Sequence, residues 1–291
     1  MGTDGYVHGY SVREHQRLND QASSLVELLH WDTAFPAGSE VLEAGCGVGA
    51  QTVTIAANSP DARITSVDIS TESLSAASDR VRLAGLRNVA LRQADIFDLP
   101  FAPAAFDHVF VCFVLEHLKD PAGALSRLRS VLKPGGTITV IEGDHGSTYF
   151  HPDDADARRA VSCLVEVQAR LGGDSLIGRR LYPLLADAGY AEVSVSPRMV
   201  YVDGSKPHLI EGFTLKTFTA MVEGVRDQAL AAGMIDEASW ERGIAGLTRT
   251  RRRRWRLLLH LLQGAGAAPF LGDSCLASAS LSAPGRIGFA R

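Results

Sequence analysis

The chain has 291 residues, 46% of them hydrophobic and 21% charged, which suits one large core or two smaller ones and excludes disorder as the default state. Its formal net charge of -4 supplies no broad basic field, so no nucleic-acid partner is expected for the body of the protein. Cys46, Cys112, Cys163 and Cys275 lie far apart without CxxC spacing, and neither a signal peptide nor an apolar run long enough to span a bilayer is visible. Reduced thiols in a cytoplasm, no metal and no stable membrane association are therefore the expectation.

In chain order, Ser11 to His30 carries apolar residues at Leu18, Ala22, Leu25 and Leu28/Leu29, the spacing of an amphipathic helix, with Arg13, Glu14, Arg17 and Asp20 available to solvent. Tyr6, His8 and Tyr10 precede it and suit an aromatic lid. From Glu40 the text alternates short β-rich runs with helix-length segments: Val41 to Glu43, Arg63 to Val67, Val89 to Arg92, Phe106 to Cys112 and Thr137 to Glu142. Helices are expected to start near Gly49, Thr71 and Asp120. This alternation predicts an α/β Rossmann-like three-layer sandwich with a mostly parallel sheet. After Glu142, helices over Asp156 to Leu171 and Arg179 to Ala188 precede a strand over Glu192 to Tyr201, and helices over Leu209 to Ala232 and Asp236 to Leu247 follow. They read as insertions that cap a substrate pocket above the carboxyl edge of the sheet. The expected division is 1–36 lid and helix, 37–146 core, 147–250 cap helices plus later core elements, and 251–291 an atypical tail.

Leu42-Glu43-Ala44-Gly45-Cys46-Gly47-Val48-Gly49-Ala50 is a strand running into a glycine-rich turn and then a helix. The glycine spacing alone also fits a dinucleotide fingerprint, which keeps an NAD-dependent dehydrogenase as an alternative. Glu43 at the mouth of the turn would repel a pyrophosphate and attract a ligand bearing an ammonium and a sulfonium, as S-adenosylmethionine (SAM) does. Asp68, with Ile69 after it, ends the second strand where a ribose diol would be held. Asp95 can accept an adenine amino group while Ile96 packs on the ring. Leu132 to Gly136 is a helix stop and turn that feeds the fifth strand.

On Glu43 to Gly49, Val67-Asp68, Asp95-Ile96, Phe106 to His117 and Leu132 to Gly136, the sequence resembles the class I SAM-dependent methyltransferases of the ubiquinone/menaquinone-type group. The resemblance covers the whole catalytic core. It implies that Glu43, Ala44, Gly45 and Gly47 surround the methionine part of SAM, that Asp68 binds the ribose and that Asp95/Ile96 hold the adenine. It also implies that the Phe113 region passes near the sulfonium. Tyr10, in the aromatic set before the first helix, is expected to close over the cofactor.

Methyl transfer from a sulfonium is an in-line displacement that gains most from positioning in a water-poor site, so a base is optional. Where the acceptor carries a weakly acidic O–H or N–H, Glu116, His117, Glu142, Asp144 and His145 are candidates at the ends of strands four and five. His145, in a glycine-flanked turn just past strand five, is preferred, with Glu116 and His117 behind it; His108 and His151 read as ordinary surface or loop residues. Tyr149, Phe150, Tyr201 and Phe213 are expected to fill the core of the insertions. Tyr6 to Ser11 and Glu142 to Ser147 also resemble bacterial tailoring methyltransferases of secondary metabolism, some acting on indole carbon. The acceptor expected is a small molecule (C, N or O), an indole or other aromatic metabolite; an oligomer is compatible with the sequence, and a SAM-binding protein without catalysis is the other alternative.

The family's last antiparallel strand is expected just after Thr250, but Arg251 to Arg256, Leu257 to Leu262 and an Ala/Ser/Gly-rich tail stand there instead. Codons can be chosen for Arg251 to Gly264 whose reading one base later yields Gly-Gly-Gly-Asp-Gly-Val-Phe-Cys-Tyr-Thr-Phe-Phe-Lys, a turn and an aromatic strand. A shifted frame and a missing or garbled final strand are therefore expected.

Overall fold

The computed structural model describes residues 17, 21, 24–249 and 256–269. Tyr6, His8, Tyr10, Arg251 to Arg254, Trp255 and the tail from residue 270, Cys275 included, lie outside the described residues. A seven-stranded sheet runs in the order β3-β2-β1-β4-β5-β7-β6, with β1 Glu40–Ala44, β2 Arg63–Asp68, β3 Val89–Gln93, β4 Phe106–Cys112, β5 Leu132–His151, β6 Ala191–Val202 and β7 Arg256–Ala267. The first five are parallel; β7 lies antiparallel between β5 and β6.

Helix α1 (24–30) sends Leu25 and Leu29 into the core, as the spacing requires. Arg17, expected in solvent, is buried and donates to Gln21 across one helical turn. Helix α2 (Thr52–Asn58) begins three residues after Gly49, because residues 47–50 are spent in the turn. Helix α3 (Thr71–Leu83) is capped by the Ser70 hydroxyl, which accepts the Ser73 N–H, and α4 (Pro121–Val131) by Asp120 with proline in its first turn. The Leu132 to Gly136 stretch is already the start of β5: Leu132 pairs with Phe106, the register shifts, and pairing resumes at His108 with Thr137.

Successive residues alternate between two cores. Val41, Phe110 and Ile141 face one that holds α1, α2 and the later helices; Leu42, Val109, Val111, Ile138 and Val140 face the other, which holds α4 and α6 (Leu181–Asp187). Strands buried on both sides are what a parallel sheet between two helical layers needs. The insertions are α5 (Ala155–Arg170), α7 (Pro207–Leu209), a π-helical stretch Ile210–Thr219, α8 (Ala220–Glu223), α9 (Arg226–Ala231) and α10 (Glu237–Thr248). They pack on one another around Phe213, Phe218 and Trp240 in the first core. Tyr149 does not join them: it is 64% exposed at the far end of β5, where the strand has outrun its helical cover.

The final strand, expected to be missing or garbled, is in place. Leu257, Leu259 and Leu261 point into the first core, and Gly264 turns the other face to α6, where a Cβ would stand 2.8 Å from Leu185 Cδ1. The glycine-rich text after the leucines is strand text because a helix presses on it. No shifted frame is needed to complete the sheet.

Candidate active site

The carboxyl ends of β1, β2 and β4 and the middle of β5, at Ile141 and Glu142, converge on the glycine turn. Gly45, Gly47 and Gly49 all have positive φ, and the turn is pinned by Gly45 N–H and Cys46 N–H donating to the Val67 carbonyl at 2.8 and 2.9 Å. At Gly45 there is no room for a side chain, since a Cβ would lie 2.5 Å from Val114 Cγ2. The segment after β4 thus rests directly on the turn.

Glu43 is buried beneath that turn. Its Oε2 accepts the hydroxyls of Thr52 (2.7 Å) and Ser66 (2.6 Å), and Ser66 faces it in the β1/β2 register. Burial outweighs these two donors and pushes its pKa up to about 7. Asp68 accepts the Gly47 N–H (2.8 Å) and the Ser70 N–H (2.9 Å), so the acid of β2 also shapes the turn; burial raises its pKa. An acid whose folded pKa exceeds its unfolded value costs stability as pH rises. Below about 4.5 both states are protonated; between 4.5 and about 7 the unfolded chain ionises while the fold does not, and the loss levels off above. For Glu43 that is about 3 kcal/mol at most. Glu43→Gln is therefore expected to lose less stability than the unchanged protein between pH 4.5 and 7, read from urea unfolding at several pH values; parallel curves would deny Glu43 this role.

Ile69 is 56% exposed beside Asp68, an apolar face open at the rim. Asp95 is exposed just past β3, its Oδ1 accepting the Phe97 N–H at 2.9 Å, and Ile96 is half-buried next to it. The Ala94 N–H donates to the Asp68 carbonyl, which ties these two rims together. Ala44 is buried within β1 and contributes backbone.

Past β4, Phe113 adopts φ +57°, a conformation rare outside glycine, and its N–H donates to the Ile141 carbonyl. Val114 and Leu115 N–H then both donate to Glu142 Oε1, at 3.0 and 2.8 Å. Glu116 and His117 sit in the single turn Leu115–His117, with His117 Nε2 3.5 Å from Glu116 Oε1. His145 is buried, its Nδ1 3.1 Å from the Ser175 carbonyl and 3.9 Å from Glu116 Oε2, with its ring stacked on Phe218. A carbonyl accepts only, so Nδ1 is the donor in this contact, and Nε2 is the nitrogen that holds the lone pair when the ring is neutral.

His145 is not in a turn past the strand, as expected, but inside β5, where pairing with β7 breaks between Asp144 and Tyr149. The break is a bulge held by Ser147 Oγ, which donates to the Asp144 carbonyl and accepts the His260 N–H. Asp144 is committed elsewhere, gripped by Arg179 at 3.1 and 2.7 Å. Glu43, Asp68, Phe113, Glu116, Glu142 and His145 are thus gathered at one sheet edge, while Tyr10 lies outside the described residues. Thr52, Ser66, Ser175 and Phe218 went unread in the sequence. Ser66 alone left a signal, because strands ending at Ala44 and Val67 in register set it opposite Glu43.

Residues 42–140 match a family described as a methyltransferase domain. A demethylmenaquinone methyltransferase of Tropheryma whipplei is 31% identical over 172 residues, 52% of this chain and 70% of that one. A 27-O-demethylrifamycin SV methyltransferase of Amycolatopsis mediterranei is 30% identical over 178 residues, 56% of this chain and 63% of that one. The chain spans about half the length of the first curated relatives it matches, 54% of one and 58% of another. Among solved structures, a Haemonchus contortus phosphoethanolamine N-methyltransferase 2 bound to phosphomonomethylethanolamine and S-adenosylhomocysteine aligns at a TM-score of 0.50 with 20% identity, covering 86% of this chain and 53% of that one, a likeness of fold. With the sheet order, the glycine turn and a matched relative of which it covers 70%, the chain belongs to the class I SAM-dependent methyltransferases.

Proposed function

We propose that the protein moves a methyl group from SAM to a small-molecule acceptor. The observation that carries this reading is Glu43, a carboxylate buried at the end of β1 under a glycine turn, with Asp68 on the next strand and Glu116 and Glu142 beyond it. Such a gathering of acids favours a cationic ligand and disfavours a pyrophosphate. In this reading Glu43, Ala44, Gly45 and Gly47 hold the methionine part, Asp68 the ribose, and Ile69, Asp95 and Ile96 the adenine. Phe113 passes the sulfonium, and Tyr10 closes from the N-terminal side. His145 Nε2 takes the acceptor's proton, with Glu116 balancing the imidazolium and His117 beside it.

Two relatives are named for small-molecule acceptors, demethylmenaquinone and 27-O-demethylrifamycin SV. An indole or other aromatic secondary metabolite is the narrower acceptor we propose, since its N–H or O–H gives His145 a proton to take. The free thiols of Cys46, Cys112 and Cys163 fit a reducing compartment such as the cytoplasm, and no described helix is long and apolar enough to cross a membrane.

Thermal-shift titration of the full chain tests the core of this reading. SAM and S-adenosylhomocysteine are expected to raise the melting temperature by several degrees, as about 2.7 kcal/mol of binding linkage at a hundredfold excess over Kd implies, and NAD to leave it unchanged. Stabilisation by NAD alone would overturn it. Mass spectrometry of small molecules incubated with isotopically labelled SAM then identifies the acceptor.

A further inference from the structure

Glu142 has an environment that donor binding and a His145 base leave unexplained. The residue is 0% exposed; one carboxyl oxygen holds the Val114 and Leu115 N–H groups, and the other, Oε2, is buried with no hydrogen-bond partner among the described residues. Among the described residues no lysine or arginine pairs with it. The titratable groups that bear on it are an acid and a thiol, Glu116 on the turn after β4 and Cys112 at the end of β4, and that thiol also feels the charge of Glu43. An ionised carboxylate there would stand unpaired in a low-dielectric pocket beside a second carboxylate. Accordingly its pKa lies well above the usual carboxylate range, through burial first and Glu116 second, against the pull of the backbone N–H groups of Leu115, Val114 and Glu116.

The segment that Glu142 holds is the one resting on Gly45, so its carboxyl braces the wall of the donor site from behind. We propose that Glu142 is a proton store for methyl transfer: neutral in the empty protein, it ionises to balance the sulfonium when the donor binds and takes a proton back once the methyl has left. This rests on the reading of the site as a SAM site. The step balances. The S–CH3 bond breaks, its electrons returning to sulfur, and the acceptor's X–H becomes X–CH3. The freed proton travels by way of His145 and Glu116 to Glu142. A cation and a carboxylate are replaced by a neutral thioether and a neutral acid, so the buried site keeps its net charge throughout. Glu142 touches no ligand in this scheme; it is a positioning and charge-balancing residue.

Calorimetry of the full chain at pH 7, in phosphate and in Tris, counts the protons exchanged on binding SAM and S-adenosylhomocysteine. Ionisations driven by the shared ammonium cancel between the two, so SAM is expected to release about one proton more, and Glu142→Gln, which keeps an oxygen for the two N–H groups, to bind both with that difference gone. Infrared difference spectra of the unsubstituted protein supply a readout independent of the variant's folding: the C=O band of a protonated buried carboxyl is expected to vanish with SAM and persist with S-adenosylhomocysteine. Equal proton counts from two ligands that bind, or a difference that survives in Glu142→Gln, would overturn the proton store and leave the SAM site standing. Failure of both ligands to bind would overturn both.

Discussion

Gly45→Ala is expected to cost the fold about 2 to 5 kcal/mol and to remove measurable affinity for SAM. Two effects add. A non-glycine residue at φ +76° bears roughly 1–2 kcal/mol of left-handed strain, and the new methyl would sit 2.5 Å from Val114 Cγ2 and 3.0 Å from Cγ1, an overpacking of about 1–3 kcal/mol. Val114 has little freedom to retreat, because its N–H is tied to Glu142. The strain therefore passes into the turn that must approach the donor. Gly47→Ala is the matched control: its φ is +51° and nothing lies within 4 Å of its Cβ, so only the conformational cost of about 1–2 kcal/mol remains. Urea unfolding and calorimetry with S-adenosylhomocysteine measure both variants. Equal losses at the two positions would mean that the Val114 contact yields and carries no weight.

That glycine turn was readable because its signals are local. Strand text, positive-φ glycines, the Ser70 cap and the Asp120-Pro121 start each lie within a few residues of the feature they specify. The partners of Glu43 were not, since Thr52 and Ser66 reach it from a helix and a neighbouring strand, nine and 23 residues away. His145 shows the same limit from another side. Its flanking glycines read as a turn, yet Gly143 is flat strand whose missing side chain leaves room for the His145 ring, 3.3 Å from where a Cβ would be. What fixes the ring, the Ser175 carbonyl and Phe218, comes from 30 and 73 residues further on. Glycine can mark a close approach as well as a bend, and the fold tells which.

The last strand carries that lesson to its largest consequence. Arg256 to Ala267 lacks the β-branched and aromatic residues that strands favour, and intrinsic preference argues against it. Tertiary context decides otherwise, because the slot between β5 and β6 takes an apolar alternation, which Leu257, Leu259 and Leu261 provide, and small residues where the other face is crowded, as at Gly264. Leu259→Asp is therefore expected to unfold the protein. The substitution loses the burial of a leucine that is 2% exposed and pairs with Val200, roughly 1.5–3 kcal/mol, and sets an unpaired carboxyl in the same place, several kcal/mol more. Together these consume most of the 5–15 kcal/mol net stability of an ordinary domain. Leu258→Asp, one residue earlier on the opposite, half-buried face, is expected to cost about 1 kcal/mol and to leave a cooperative melt. Soluble yield and circular-dichroism melting of the pair check the register directly. If Leu258→Asp proved the destructive change and Leu259→Asp the mild one, the strand would be shifted by a residue and every side chain on it would face the other layer.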